Sequence, residues 1–174
     1  MSFDLVFFGG TGDLTWRKLM PALFQAWRHG KLPAQGRILA VARDERTDAG
    51  YRQWLQDKLA TVDDRAKRPT EDEFERFATQ VHYLRMDLSQ PDDYQLLRQW
   101  LGGRCADTVV MYLATSPHLF PVICEQLGAA GLNHPGVRVV LEKPLGHDLA
   151  SAQTINEAVR SVFSPPACYA ASRA

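Results

Sequence analysis

The chain has 174 residues, enough for one domain with a sizeable core, and its 45% apolar and 23% charged content is that of an ordinary globular protein. Twenty basic and twenty acidic residues cancel, so no net field draws the chain toward nucleic acid or an anionic membrane surface. No apolar run approaches the roughly 20 residues that cross a bilayer, and the N-terminus reads as a strand and not as a basic-then-apolar leader.

The first strand is the run Leu5-Val6-Phe7-Phe8, apolar without alternation, as expected of a strand buried on both faces of a parallel sheet. It runs into Gly9-Gly10-Thr11-Gly12-Asp13-Leu14, and an amphipathic helix is expected from Leu14 to Arg28, stopped by Gly30. Glycines let the backbone turn sharply and approach a ligand, while the helix start presents unpaired N–H groups and the positive end of its dipole. That combination suits a pyrophosphate, so Gly9, Gly10, Thr11, Gly12, Asp13 and Leu14 are the candidate cofactor cradle. Thr15 stands where a third small residue would close G-x-G-x-x-G. No Gly-Lys-Ser or Gly-Lys-Thr occurs, which disfavours a P-loop NTPase. Lys18 lies on the first turns of the helix, close to the cradle.

A second strand, Arg37–Ala42, ends at Arg43. In a doubly wound sheet that position meets the adenosine ribose, where a carboxylate favours NAD and an arginine's planar fork favours the 2′-phosphate of NADP. Arg43 therefore argues for NADP, with Arg46 as additional help. Asp44 is an awkward neighbour, able to repel the phosphate or turn to the ribose. A helix is expected over Tyr51–Thr61, a charged loop over Asp63–Pro69, and a capped helix opening at Thr70-Glu71-Asp72-Glu73 with Phe74 and Phe77 inward. The third strand, Val81–Met86, closes at Asp87-Leu88, placing Asp87 near the adenine. A helix runs from Ser89-Gln90-Pro91 to Leu101.

The fourth strand, Thr108–Leu113, leads into Ala114-Thr115-Ser116-Pro117, whose Thr115 and Pro117 are expected over the nicotinamide-side phosphate. A helix over Leu119–Ala130 follows. The fifth strand, Val137–Leu141, delivers Glu142-Lys143-Pro144-Leu145-Gly146 to the ligand crevice, making Lys143 the candidate for touching cofactor and substrate. Asp148 caps a last helix reaching Val162. Residues 1–164 thus read as an α/β domain, a doubly wound parallel sheet of Rossmann type with right-handed crossovers. Pro165–Ala174 reads as a disordered tail. Cys105, Cys124 and Cys168 show no C-x-x-C spacing, as expected of thiols in a reducing cytoplasm.

Phe7-Phe8-Gly9-Gly10-Thr11-Gly12-Asp13-Leu14, Arg17-Lys18-Leu19-Met20-Pro21, Ala42-Arg43 and Glu142-Lys143-Pro144-Leu145-Gly146 closely resemble the N-terminal domain of the glucose-6-phosphate dehydrogenase family. The similarity runs from about residue 4 to residue 164. It implies NADP-dependent oxidation of glucose 6-phosphate at C1 to the lactone, at the entry to the pentose phosphate pathway. It further implies pyrophosphate at residues 9–14, the 2′-phosphate at Arg43, and Lys18 at the sugar phosphate or cofactor edge. Lys143 would contact substrate and nicotinamide, with Pro144 in a cis bond. Thr15-Trp16 replace the family's small residue and lysine, which is expected to loosen the helix slightly from the strand.

The family's R-I-D-H-Y-L-G-K-E segment, whose histidine supplies a general base, is not in this sequence, and His118 and His147 lie in the wrong context to replace it. No catalytic residue is therefore assigned. The expectation is the cofactor-binding portion of the enzyme, ending near Ser164, without the substrate domain that makes the family's homo-oligomer and without turnover of its own. Two alternatives remain open: a non-catalytic NADP-binding or sensing module, and another NADP-dependent sugar oxidoreductase sharing the E-K-P element.

Overall fold

The computed structural model describes residues 3–13, 15–32, 34–102, 108–132, 136–141 and 168–170. Six strands form one sheet: β1 (Phe3–Phe8), β2 (Arg37–Ala42), β3 (Val81–Arg85), β4 (Thr108–Leu113), β5 (Val137–Leu141) and β6 (Cys168–Ala170). Every pair is parallel, and the spatial order is β3-β2-β1-β4-β5-β6. This is the doubly wound order in which the chain starts in the middle and reverses direction, and it leaves a crevice beyond the strand ends where the order switches.

Both faces of the sheet are covered, which is why its central strands read as continuous apolar runs. Val6 and Phe8 of β1 face a core shared with α4 (Pro91–Gly102) and α5 (Phe120–Ala129), through Tyr94, Leu97, Ile123 and Leu127. Phe7, between them, faces the opposite core with α1 (Met20–Arg28), α2 (Asp48–Leu59) and α3 (Glu71–Ala78). There Phe24 of α1 meets Phe77 of α3 edge-on at 5.5 Å, and Trp27 joins them.

Several boundaries differ from the expectations for local reasons. The helix expected from Leu14 begins as a π-helical turn over Thr15–Leu19 and becomes α1 only at Met20, with Pro21 in the first turn. Helix α2 starts at Asp48, three residues before Tyr51, because Thr47 Oγ1 accepts from the Gly50 amide and caps it. The expected loop before α3 carries a 3₁₀ turn at Arg65–Lys67, held by the Arg28 guanidinium, which donates to the carbonyls of Ala66 and Arg68. The capping box of α3 is present as read: Thr70 Oγ1 accepts from the Glu73 amide, and Glu73 accepts from the Thr70 amide.

At the far end of the chain, Cys168–Ala170 pairs in parallel with β5. That corrects the expectation of a disordered tail for these three residues; a three-residue edge strand after Pro165-Pro166 is too short to show a period in sequence. Leu14, the Glu142–Gly146 element with Lys143, the expected helix over Asp148–Val162 and the other tail residues lie outside the described residues.

Candidate functional site

The crevice at the switch point is a cavity of about 530 Å³, lined by Gly9 and Thr11 after β1, Val41 and Ala42 at the end of β2 with Arg43 and Asp44 after it, Met86 to Ser89 after β3, and Thr115 and Leu119 after β4. Four strand ends converge there, as a parallel sheet requires. Of the expected cofactor contacts, Gly9, Thr11, Arg43, Asp87 and Thr115 are therefore brought together. Gly10, Gly12 and Asp13 support the turn beside the cavity without lining it. Pro117 does not line it either: it opens a short 3₁₀ turn, and Leu119 at the end of that turn forms the wall. Lys18 is exposed on the π-helical turn.

The glycine turn is built by its own backbone. The amides of Gly9 and Gly10 both donate to the Val41 carbonyl at 2.9 Å, and the Gly12 amide donates to the Gly9 carbonyl at 3.0 Å. Those three donors are spent on shape. The amides of Thr11 and Asp13 have no such partner among the described residues, so they, with the first turn of the helix, are the donors left for an anion. The glycines are required sterically. Gly9 has φ +97°, and a Cβ there would sit 2.8 Å from the Ala114 carbonyl oxygen; a Cβ on Gly10 would sit 2.5 Å from that of Ala40.

Thr15 does not loosen the turn as expected. It is fully buried, and its hydroxyl donates to the Gly9 carbonyl at 2.8 Å, fastening the helix to the strand end. Trp16 turns back, its indole N–H donating to the Asp13 carboxylate at 3.1 Å.

Arg43 stands exposed at the lip of the cavity, and its carbonyl accepts from Arg85 Nε at 3.2 Å. Asp44 points to Arg46, 3.5 Å away, so part of its charge is balanced within its own loop. Arg46 in turn lies over the Trp54 ring at 5.4 Å, with a buried Nε that finds no acceptor among the described residues. The Asp87 carboxylate accepts from both the hydroxyl and the amide of Ser89. Those bonds, and the weaker field of Arg43 and Arg85, hold its carboxyl below the usual aspartate range. Asp87 thus anchors the turn after β3 and stays ionised beside the cavity.

Two features escaped the sequence reading. The apolar walls at Met86, Leu88 and Leu119 follow strand ends and are spaced by nothing periodic. The second is a tyrosine pair beneath the site: Tyr51 donates to the Gly10 carbonyl at 2.6 Å, and Tyr83 donates to the Asp44 carbonyl. Read as sequence, both are ordinary core aromatics. Among the described residues no cluster of acidic, histidine or cysteine side chains could hold a metal ion, and no helix is long and apolar enough to cross a membrane.

Residues 6–171 match the family model for the glucose-6-phosphate dehydrogenase NAD binding domain. Glucose-6-phosphate 1-dehydrogenase of Mycolicibacterium smegmatis is 46% identical over 168 residues, covering 92% of this chain and 33% of that protein. The crystal structure of glucose-6-phosphate 1-dehydrogenase from Mycobacterium avium superposes with a TM-score of 0.86 at 29% identity, over 98% of this chain and 36% of that one. A glucose-6-phosphate dehydrogenase in complex with its substrate glucose-6-phosphate superposes with a TM-score of 0.82 at 25% identity, over 98% and 36% respectively. The chain spans about a third of the length of the relatives it matches.

Proposed function

The chain belongs to the glucose-6-phosphate dehydrogenase family, through its NAD binding domain, and from that membership we propose that it is the cofactor-binding portion of an enzyme that oxidises glucose 6-phosphate with NADP in the pentose phosphate pathway of the cytoplasm. The observation that carries the reading is the meeting of an anion-binding turn, Arg43 and an apolar-walled cavity at one switch point. The residues fit such a cofactor. The Gly9 and Gly10 positions leave no room for a Cβ, and the Thr11 and Asp13 amides lack partners among the described residues. The cofactor, when bound, supplies the acceptor for a hydride.

The chain's own residues bind and orient. The turn from Gly9 to Leu14 holds the pyrophosphate, Thr11 and Asp13 by their amides. Arg43 takes the 2′-phosphate through its planar fork. Asp44, drawn to Arg46, is kept from opposing that phosphate. Asp87 flanks the adenine end between the apolar walls of Met86 and Leu88, and Thr115 frames the nicotinamide-side phosphate, with Leu119, and not Pro117, as the neighbouring wall. Lys143 contacts the nicotinamide and the sugar, and Lys18 the sugar phosphate or the cofactor edge, on the strength of the family motifs that contain them. Glucose 6-phosphate and a homo-oligomer are the partners of this reading, with no nucleic acid and no membrane. The general base is not assigned to any residue of this chain.

The test is a paired titration with NADP and NAD on wild type and Arg43→Ala. A charge-assisted contact contributes about 1.5–3 kcal/mol, so the substitution should weaken NADP roughly tenfold to a hundredfold and leave NAD within about twofold. Equal losses for both dinucleotides, or none for either, would remove Arg43 from the 2′-phosphate.

A further inference from the structure

Beneath the cavity two tyrosine rings stack, Tyr51 of α2 on Tyr83 of β3, with centroids 5.2 Å apart and planes at 24°. Both are buried, at 0% and 7% exposure. Their hydroxyls diverge to the two halves of the crevice. Tyr51 donates to the carbonyl of Gly10 in the glycine turn, and Tyr83 to the carbonyl of Asp44 in the loop that carries Arg43. We propose that Tyr51 and Tyr83 are a pair of positioning residues that lock the diphosphate half and the 2′-phosphate half of the dinucleotide site in one fixed geometry.

The argument turns on the peptide plane. In a trans peptide the carbonyl of one residue and the N–H of the next point to opposite sides. A donor fixed on the Gly10 carbonyl therefore sets the direction of the Thr11 N–H, and Thr11 lines the cavity with no partner for that amide among the described residues. The same bond polarises the peptide and strengthens its N–H as a donor. Tyr83 holds the peptide after Asp44 in the same way, and so restrains the strand exit from which Arg43 reaches the lip. Burial, and next the neighbouring phenol, raises the Tyr51 hydroxyl above its ordinary range; burial, and next the charge of Asp44, raises that of Tyr83. Both remain protonated donors across the neutral range.

The inference rests on the dinucleotide site proposed above, and the two tyrosines separate it from a merely structural role. Tyr51→Phe keeps the ring and loses the bond to the turn shared by both cofactors. It should weaken NADP and NAD by the same factor, roughly twofold to tenfold for one lost hydrogen bond. Tyr83→Phe should weaken NADP by a similar factor while NAD changes less than twofold, so its NADP preference falls. In the ¹⁵N spectrum of the wild type, the Thr11 amide should shift downfield on adding NADP, a reading that needs neither variant. Folded variants, checked by circular dichroism, that bind both dinucleotides as wild type does would overturn the inference alone, as would an unmoved Thr11 amide in a chain that binds. A wild-type chain that binds neither dinucleotide overturns the proposed function and this inference together.

Discussion

At Gly10 the polypeptide has no spare volume. Its amide is bonded to Val41, its carbonyl to Tyr51, and a methyl group in place of its hydrogen would meet the Ala40 Cβ at 2.5 Å and two backbone atoms of β2 at 3.0 Å. Those backbone atoms belong to a central strand and have nowhere to move. Gly10→Ala should therefore cost about 1–3 kcal/mol, the range for overpacking a well-filled core. In a 174-residue chain each kcal/mol corresponds to about 2–4 °C in the melting midpoint, so calorimetry reads the loss directly; an unchanged midpoint contradicts the close packing. The glycines were legible in sequence because only glycine tolerates such approach. Thr15 was not: whether a hydroxyl at that position props the helix away or ties it down depends on where the Gly9 carbonyl points, which composition does not encode. The same holds for Tyr51 and Tyr83, whose hydroxyls act across 41 and 39 residues of chain.

Among the elements, α3 shows how a local motif can be read and then gains a tertiary duty. Thr70 and Glu73 form the capping box that the S/T-x-x-E spacing announces, but Glu73 also receives the Arg28 guanidinium from α1 at 3.0 Å. Arg28 in turn holds the 3₁₀ turn at Arg65–Lys67. The Thr70 amide, first, and the Arg28 side chain, second, hold the Glu73 carboxyl below its ordinary value of 4.5. A depressed folded-state value stabilises the fold above the unfolded value and loses that stabilisation as pH falls through the folded one. The stability gap between wild type and Glu73→Gln, measured by denaturant unfolding, should then be widest above about pH 5 and shrink as pH drops below 4.5. A gap that stays constant into acid contradicts the ionic part of the contact. The central strands β1, β2 and β4 were readable because burial on both faces leaves uninterrupted apolar runs, whereas the three-residue β6 was not. Helix starts were less so, since the cap of α2 is set by Thr47 bonding the Gly50 amide, a choice the apolar period at Tyr51, Leu55 and Leu59 does not reveal.

Across the whole molecule, the parallel order sends every strand's C-terminal end to one edge, and the chemistry gathers there. The opposite edge carries a different device: Asp4, fully buried in β1, is gripped in two-point fashion by Arg37 of β2 at 2.7 and 2.8 Å, and Arg37 lies over the Trp100 ring at 3.9 Å. That pair sets the register of the two central strands far from the crevice. Alternation of strand and helix predicted the parallel sheet, and position within that topology brought Gly9, Thr11, Arg43, Asp87 and Thr115 to the cavity but not Gly10, Gly12, Asp13 or Pro117. What the sequence pattern lacked was the inventory of donors: it assigned the whole turn from Gly9 to Leu14 to the ligand, whereas three of those amides are consumed in shaping it.

The most direct measurement of the central claim is a crystal structure of the chain grown with NADP. The account predicts the diphosphate against the Thr11 and Asp13 amides, the 2′-phosphate within hydrogen-bonding distance of the Arg43 guanidinium, and the adenine between Met86, Leu88 and the Asp87 turn. A dinucleotide bound elsewhere, or one seated in the cavity with its 2′-phosphate turned away from Arg43, would contradict it.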